Sequence, residues 1–155
     1  MTTMTDRFGD TLKKVRAAID AEKDSTGVMR ATVHLLKQEL PDYTWVGIYL
    51  LDGNELVLGP FAGKPSPHTR IPLGRGICGA AAAEEQTIIV DDVTKDPRYL
   101  ACSLETKSEI VVPIMMDGQV LGEIDIDSDK LARFGPADQE LLEQVAHYLA
   151  AKLRG

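Results

Sequence analysis

At 155 residues, with 44% hydrophobic and 26% charged side chains, the chain suits one globular domain with a substantial core. A formal charge of −7 removes the basic footprint that nucleic-acid binding or docking on anionic lipid requires. No apolar segment is long enough to span a bilayer and the N-terminus lacks the apolar core of a signal peptide, so a cytoplasmic protein is expected.

Phe8, Leu12, Val15 and Ile19 recur at helical spacing and predict an amphipathic helix. Asp24-Ser25-Thr26 offers a cap for a second helix that turns Val28, Ala31, Leu35 and Leu36 inward, and Pro41 and Asp42 end it. A strand over 43–51 follows, then a turn at Asp52-Gly53-Asn54 into a second strand over 55–58. Residues 59–66 hold two glycines and two prolines and read as a loop, leading to a short strand over 70–72. Gly74-Arg75-Gly76 opens a small helix with its body over 80–85. The same triplet is either a plain tight turn or a cradle of backbone N–H groups for an anion. After a buried strand over 87–90, residues 91–107 are long, polar and aperiodic, the kind of loop that usually carries function.

The next two strands, over 109–115 and 119–127, meet around Asp117-Gly118. A two-residue turn would set Ile110 against Asp125 and mix apolar with acidic side chains on one face. A three-residue loop with Gly118 left-handed instead pairs Ile110 with Ile124 and Ile114 with Val120, so the hydrophobic pattern selects it. That register puts Glu109 opposite Asp125, with Glu123 and Asp127 on the same side. A closing helix starts at Pro136 and turns Leu142, Val145, Leu149 and Leu153 inward. The order predicts a single α+β domain over 1–155, a central antiparallel sheet with the N- and C-terminal helices packed on one face. The helical faces at both termini would suit a homodimer.

The two cysteines, Cys78 and Cys102, read as free thiols rather than a structural staple. They lie too far apart for a C-x-x-C metal motif, and His34, His68 and His147 form no ligand pattern. No metal and no cofactor is expected. His68, in a proline-flanked loop, reads as exposed. Cys102 sits in the polar loop just upstream of Glu109, a thiol close to acids and suited to redox chemistry on a small polar molecule. Glu123, Asp125 and Asp127 alternate and by pattern alone form a solvated strand face. Glu109 facing them, together with the family resemblance set out below, favours a pocket for Asp125 and Asp127, while Glu123 stays with the solvated reading. Trp45 and Tyr49 share a strand face as core or as the wall of a ligand site.

The segments Trp45-Val46-Gly47-Ile48-Tyr49-Leu50, Leu58-Gly59-Pro60-Phe61-Ala62-Gly63-Lys64 and Gly74-Arg75-Gly76-Ile77-Cys78-Gly79 resemble the free methionine-(R)-sulfoxide reductases, stand-alone GAF-domain enzymes. The resemblance continues through Ala101-Cys102, Ser108-Glu109-Ile110-Val111 and Asp125-Ile126-Asp127-Ser128, so it covers nearly the whole chain. It implies that Cys102 attacks the sulfoxide sulfur and becomes a sulfenic acid. A second cysteine then closes a disulfide, which thioredoxin or another thiol reductant reopens. By the same resemblance Glu109, Asp125 and Asp127 hold the sulfoxide and the amino group of free methionine sulfoxide, and Trp45 and Tyr49 wall the methyl-sulfur end. Family members commonly carry a third, resolving cysteine after Gly63-Lys64. Here that loop reads Pro65-Ser66-Pro67-His68-Thr69, so the resolving role passes to Cys78 or to an external thiol.

Elementary chemistry agrees with those roles. A sulfoxide oxygen leaves only once protonated, and an isolated Glu is ionised at neutral pH. Crowded carboxylates cannot all ionise cheaply, so one keeps its proton. Two other readings of the same residues remain: a GAF module that binds a small ligand without turning it over, and a thiol redox sensor built on Cys78 and Cys102.

Overall fold

The computed structural model describes residues 4–100 and 104–154. Helices α1 (Met4–Ala21) and α2 (Ser25–Glu39) lead into β1 (Trp45–Asp52), β2 (Glu55–Ala62) and β3 (Arg70–Pro72). Helix α3 (Gly76–Glu84), β4 (Ile88–Val90), β5 (Ser108–Met116), β6 (Gln119–Ser128) and α4 (Pro136–Arg154) complete the chain. The six strands form one antiparallel sheet in the order β3-β2-β1-β6-β5-β4.

The two faces of the sheet have different partners. Val46, Ile48, Ile110, Val112, Ile114, Ile124 and Ile126 point to one face, where α1, α2 and α4 cover them. The apolar stripes of these helices set their orientation. Phe8, Val15 and Ile19 from α1, Val33 and Leu36 from α2, and Leu142, Val145 and Leu149 from α4 are all buried there. The cap of α2 is the predicted one, with Asp24 accepting a 2.7 Å hydrogen bond from the Gly27 amide. The opposite face packs the shorter α3 through Ile77, Cys78, Ala81 and Ala82 against Tyr49, Val111 and their neighbours. This second face is only partly filled, and the site lies there.

One expected boundary changes. Residues 59–62 extend β2 rather than begin a loop. The register between β1 and β2 shifts between Gly47 and Tyr49, which leaves Gly59 and Pro60 opposite Ile48 alone. A bulge spares Pro60 the ladder hydrogen bond it has no N–H to make.

The hairpin register is also corrected. Met116 pairs with Gln119 across a two-residue turn in which Asp117 and Gly118 both have positive φ, 54° and 76°, the signature of a type I′ turn. A bulge then leaves Leu121 unopposed between the Met115–Val120 and Ile114–Gly122 pairs. Beyond it Ile110 faces Ile126, Val112 faces Ile124, and Glu109 faces Asp127 rather than Asp125. The tight turn and one bulge together restore the apolar-on-apolar alternation that a three-residue loop was expected to supply.

Candidate functional site

On the α3 side of the sheet, β1 and β6 set Trp45 opposite Asp127, Gly47 opposite Asp125 and Tyr49 opposite Glu123. One strand further out, Glu109 lies beside Asp127 and Val111 beside Asp125. Period-two alternation thus lines up two aromatic rings, three β6 carboxyl groups and Glu109 on one surface. Gly47 makes this possible. A Cβ there would sit 2.2 Å from the edge of the Trp45 indole, so only a residue without a side chain lets the ring lie across β1.

Both aromatic residues also fasten the loop that roofs the site. Trp45 Nε1 donates to the Lys64 carbonyl at 2.8 Å, and the Tyr49 hydroxyl donates to the His68 carbonyl at 2.8 Å. Phe61 stacks on Trp45 at 5.8 Å. Between this loop and the sheet lies a cavity of about 180 Å³ lined by Trp45, Tyr49, Ser66, Thr106, Asp125 and Asp127. Lys64 and Glu105 pair at 3.2 Å on its exposed rim, where an ion pair contributes at most about 1 kcal/mol.

Beside it, and sharing Tyr49 and Asp125, is a smaller chamber of about 20 Å³. Cys78, Glu109, His68, Gly76 and Leu100 also bound it. The Gly74-Arg75-Gly76 triplet at its edge forms a tight turn. The Gly74 amide donates to the Gly79 carbonyl at 2.9 Å and the Arg75 amide to the Pro72 carbonyl at 3.1 Å, so those two groups are not offered to an anion.

The electrostatics are dominated by burial. Glu109, Glu123, Asp125 and Asp127 are all 6% exposed or less. Burial pushes the Asp125 carboxyl up, against hydrogen bonds from Glu109 and Cys78 and the nearby His68. It lifts Asp127 well above the carboxylate range, with the Asp125 charge adding to it and a Glu109 hydrogen bond opposing. Glu109 therefore shares hydrogen bonds with both aspartates, and a carboxyl–carboxyl hydrogen bond needs a proton. The Cys78 thiol is held well above its ordinary range by burial first, and then by the charges of Asp125, Glu123 and Glu109.

Glu123 is not on a solvated face. It is fully buried, and among the described residues its carboxyl oxygens meet no hydrogen-bond donor other than the weakly donating Cys78 thiol. Burial, then the Asp125 charge, raises it well above the carboxylate range. The signal that would have found it was the shared parity of 123, 125 and 127. His68 is likewise half-buried beside Asp125 rather than exposed. Cys102 lies outside the described residues. The structure brings Trp45, Tyr49, Cys78, Glu109, Asp125 and Asp127 to one place.

A pH dependence follows. A carboxyl whose folded pKa is raised holds its proton in the native state where the unfolded chain has released it. The stability this gives is complete below the ordinary carboxylate range and is lost as pH rises through the raised value. Glu123→Gln, which removes one such group, is expected to raise Tm at pH 8 by about 2–4 °C, the equivalent of about 1 kcal/mol, and to change it little at pH 4. Thermal melts of both proteins across pH 4–8 check this, and a uniform loss of Tm would refute it.

A family profile described as GAF domain matches residues 24–153. The free methionine-R-sulfoxide reductase of Escherichia coli (strain K12) is 37% identical over 145 residues, covering 94% of this chain and 87% of that protein. The enzyme of the same name from Saccharomyces cerevisiae is 46% identical over 117 residues, 73% of this chain and 64% of its own. The crystal structure of the free methionine-R-sulfoxide reductase of Neisseria meningitidis with its substrate superposes with a TM-score of 0.94. Its identity is 36%, and the match covers 99% of this chain and 92% of that one.

Proposed function

The chain belongs to the free methionine-R-sulfoxide reductases of the GAF family and is an oxidoreductase, and from that premise we propose a thiol mechanism acting on free methionine-R-sulfoxide. The sulfur of Cys102 attacks the sulfoxide sulfur as Glu109 protonates the departing oxygen. The protonated oxygen passes to the Cys102 sulfur as the transient sulfur–sulfur bond breaks. Methionine leaves, Cys102 becomes a sulfenic acid, and the thiol's own proton replaces the one Glu109 gave. A second thiol, that of Cys78 or an external one, then displaces the sulfenic oxygen as water and leaves a disulfide. A dithiol of the thioredoxin class reduces that disulfide and becomes oxidised in turn.

The observation that carries this reading is the buried acid cluster beside an aromatic-walled cavity. A carboxyl–carboxyl hydrogen bond keeps a transferable proton at neutral pH, as sulfoxide reduction demands. Trp45 and Tyr49 suit the apolar methyl-sulfur end, and an ionised member of the Asp125–Asp127 pair suits the ammonium of a free amino acid. Leu100 on one side of Cys102 and Glu105 and Thr106 on the other line the two chambers, which supports the nucleophile's assignment to that segment. Cys78 is a poor nucleophile because burial and the neighbouring carboxylates make its thiol hard to ionise.

The test is a single assay. Reduced protein is incubated with racemic methionine sulfoxide and dithiothreitol, and methionine and residual epimers are quantified. Consumption of the R epimer alone is expected, stopping at half of the racemate. Tight binding with no methionine released would mean a sensor and not an enzyme.

A further inference from the structure

The smaller chamber is too narrow for an amino acid. Its volume of about 20 Å³ accommodates one water-sized particle. Yet its walls hold a thiol and two carboxyl groups. The Sγ of Cys78 and a carboxylate oxygen each from Glu109 and Asp125 lie within 4.8 Å of one another, and all three residues are buried. A second observation points the same way. Asp125, which lines the chamber and is buried, keeps one carboxyl oxygen without a partner among the described residues. Glu123 behind it meets only the weakly donating Cys78 thiol. Among the described residues, no lysine or arginine lines the smaller chamber. Lys64, on the rim of the larger one, is exposed and paired with Glu105. Buried acceptors without donors are costly, and a retained proton or a bound cation satisfies them.

We propose that this chamber is a binding site for a thiophilic divalent cation of the zinc class, held by Cys78, Glu109 and Asp125. Each donor sits about 2.0–2.3 Å from a zinc-class ion, so the ligand atoms must come to roughly 3.5 Å of one another. That asks at most about 1 Å of side-chain adjustment. The thiolate selects against magnesium and calcium, which take all-oxygen sets. On binding, the Cys78 thiol and the Glu109–Asp125 hydrogen bond each release a proton to solvent, and metal–sulfur and metal–oxygen bonds take their place. The ligand spacing in the chain hides this site, because its donors come from α3, β5 and β6 rather than from one motif. The site shares Glu109 and Asp125 with the proposed reductase chemistry, but the inference is tested without substrate and does not depend on turnover.

Cobalt(II) is the probe, since its bond to a thiolate gives a charge-transfer band in the near ultraviolet. Metal-free wild type and Cys102→Ser, in which Cys78 is the sole cysteine, are both expected to take one equivalent of Co²⁺ with that band, and Zn²⁺ to displace it. Cys78→Ser is expected to lose the band and at least tenfold in affinity. Glu109→Gln, which leaves the thiol in place, is expected to keep the band but bind at least fivefold more weakly. The proposal is overturned if wild type shows no stoichiometric Co²⁺, if the band disappears in Cys102→Ser, or if Glu109→Gln binds as tightly as wild type.

Discussion

Replacing Cys102 by serine is expected to lower the rate of methionine release at least about 10³-fold while leaving the dissociation constant for the sulfoxide within about threefold. A hydroxyl does not form the sulfur–oxygen product that stores the transferred atom, so no partial route is left to the variant. Binding survives because the walls of the larger cavity, Trp45, Tyr49, Asp125 and Asp127, are untouched. Stopped assays for methionine together with calorimetric titration of the substrate measure both quantities. Retained turnover would transfer the nucleophile's role to Cys78, against the buried and acid-surrounded setting of that thiol.

Glu109→Gln is the second large effect. The amide keeps the shape of the side chain and can still donate hydrogen bonds to Asp125 and Asp127, but it has no acidic proton to give the sulfoxide oxygen. General acid catalysis typically contributes 10²–10⁴-fold. A fall in kcat of about 10²–10³ with KM changed less than about fivefold is expected. The split matters more than the loss: a rise in KM with kcat unchanged would make Glu109 a binding group only. The wild-type rate should also fall toward alkaline pH, as the proton shared among Glu109, Asp125 and Asp127 is lost. In Glu109→Gln that alkaline limb should flatten.

The parts of the fold written in periodicity were readable from the chain. The stripes of α1 and α4 and the alternation of β5 and β6 decide which side of each element is buried, and burial has the same period as the pattern. The same period explains the error. A strand repeats every two residues, so the pattern distinguishes Ile110 opposite Asp125 from Ile110 opposite an isoleucine, but not Ile124 from Ile126. The choice was made by a bulge at Leu121, for which no residue type was diagnostic. Glu123 was hidden differently. Acidic residues on alternate strand positions usually face water, and only α3, arriving from a distant part of the chain, makes this surface an interior. His68 was hidden for a related reason, since the partner beside it, Asp125, is supplied by β6.

The roof over the cavity is fastened by its main chain. The indole and the phenol bind the carbonyl oxygens of Lys64 and His68, atoms that every amino acid possesses. Substitution anywhere between those anchors leaves the two fastenings available, provided the span keeps its length. A segment held in this way can drift in composition without letting the cavity open, and it can surrender a reactive sulfur and still cover the same space.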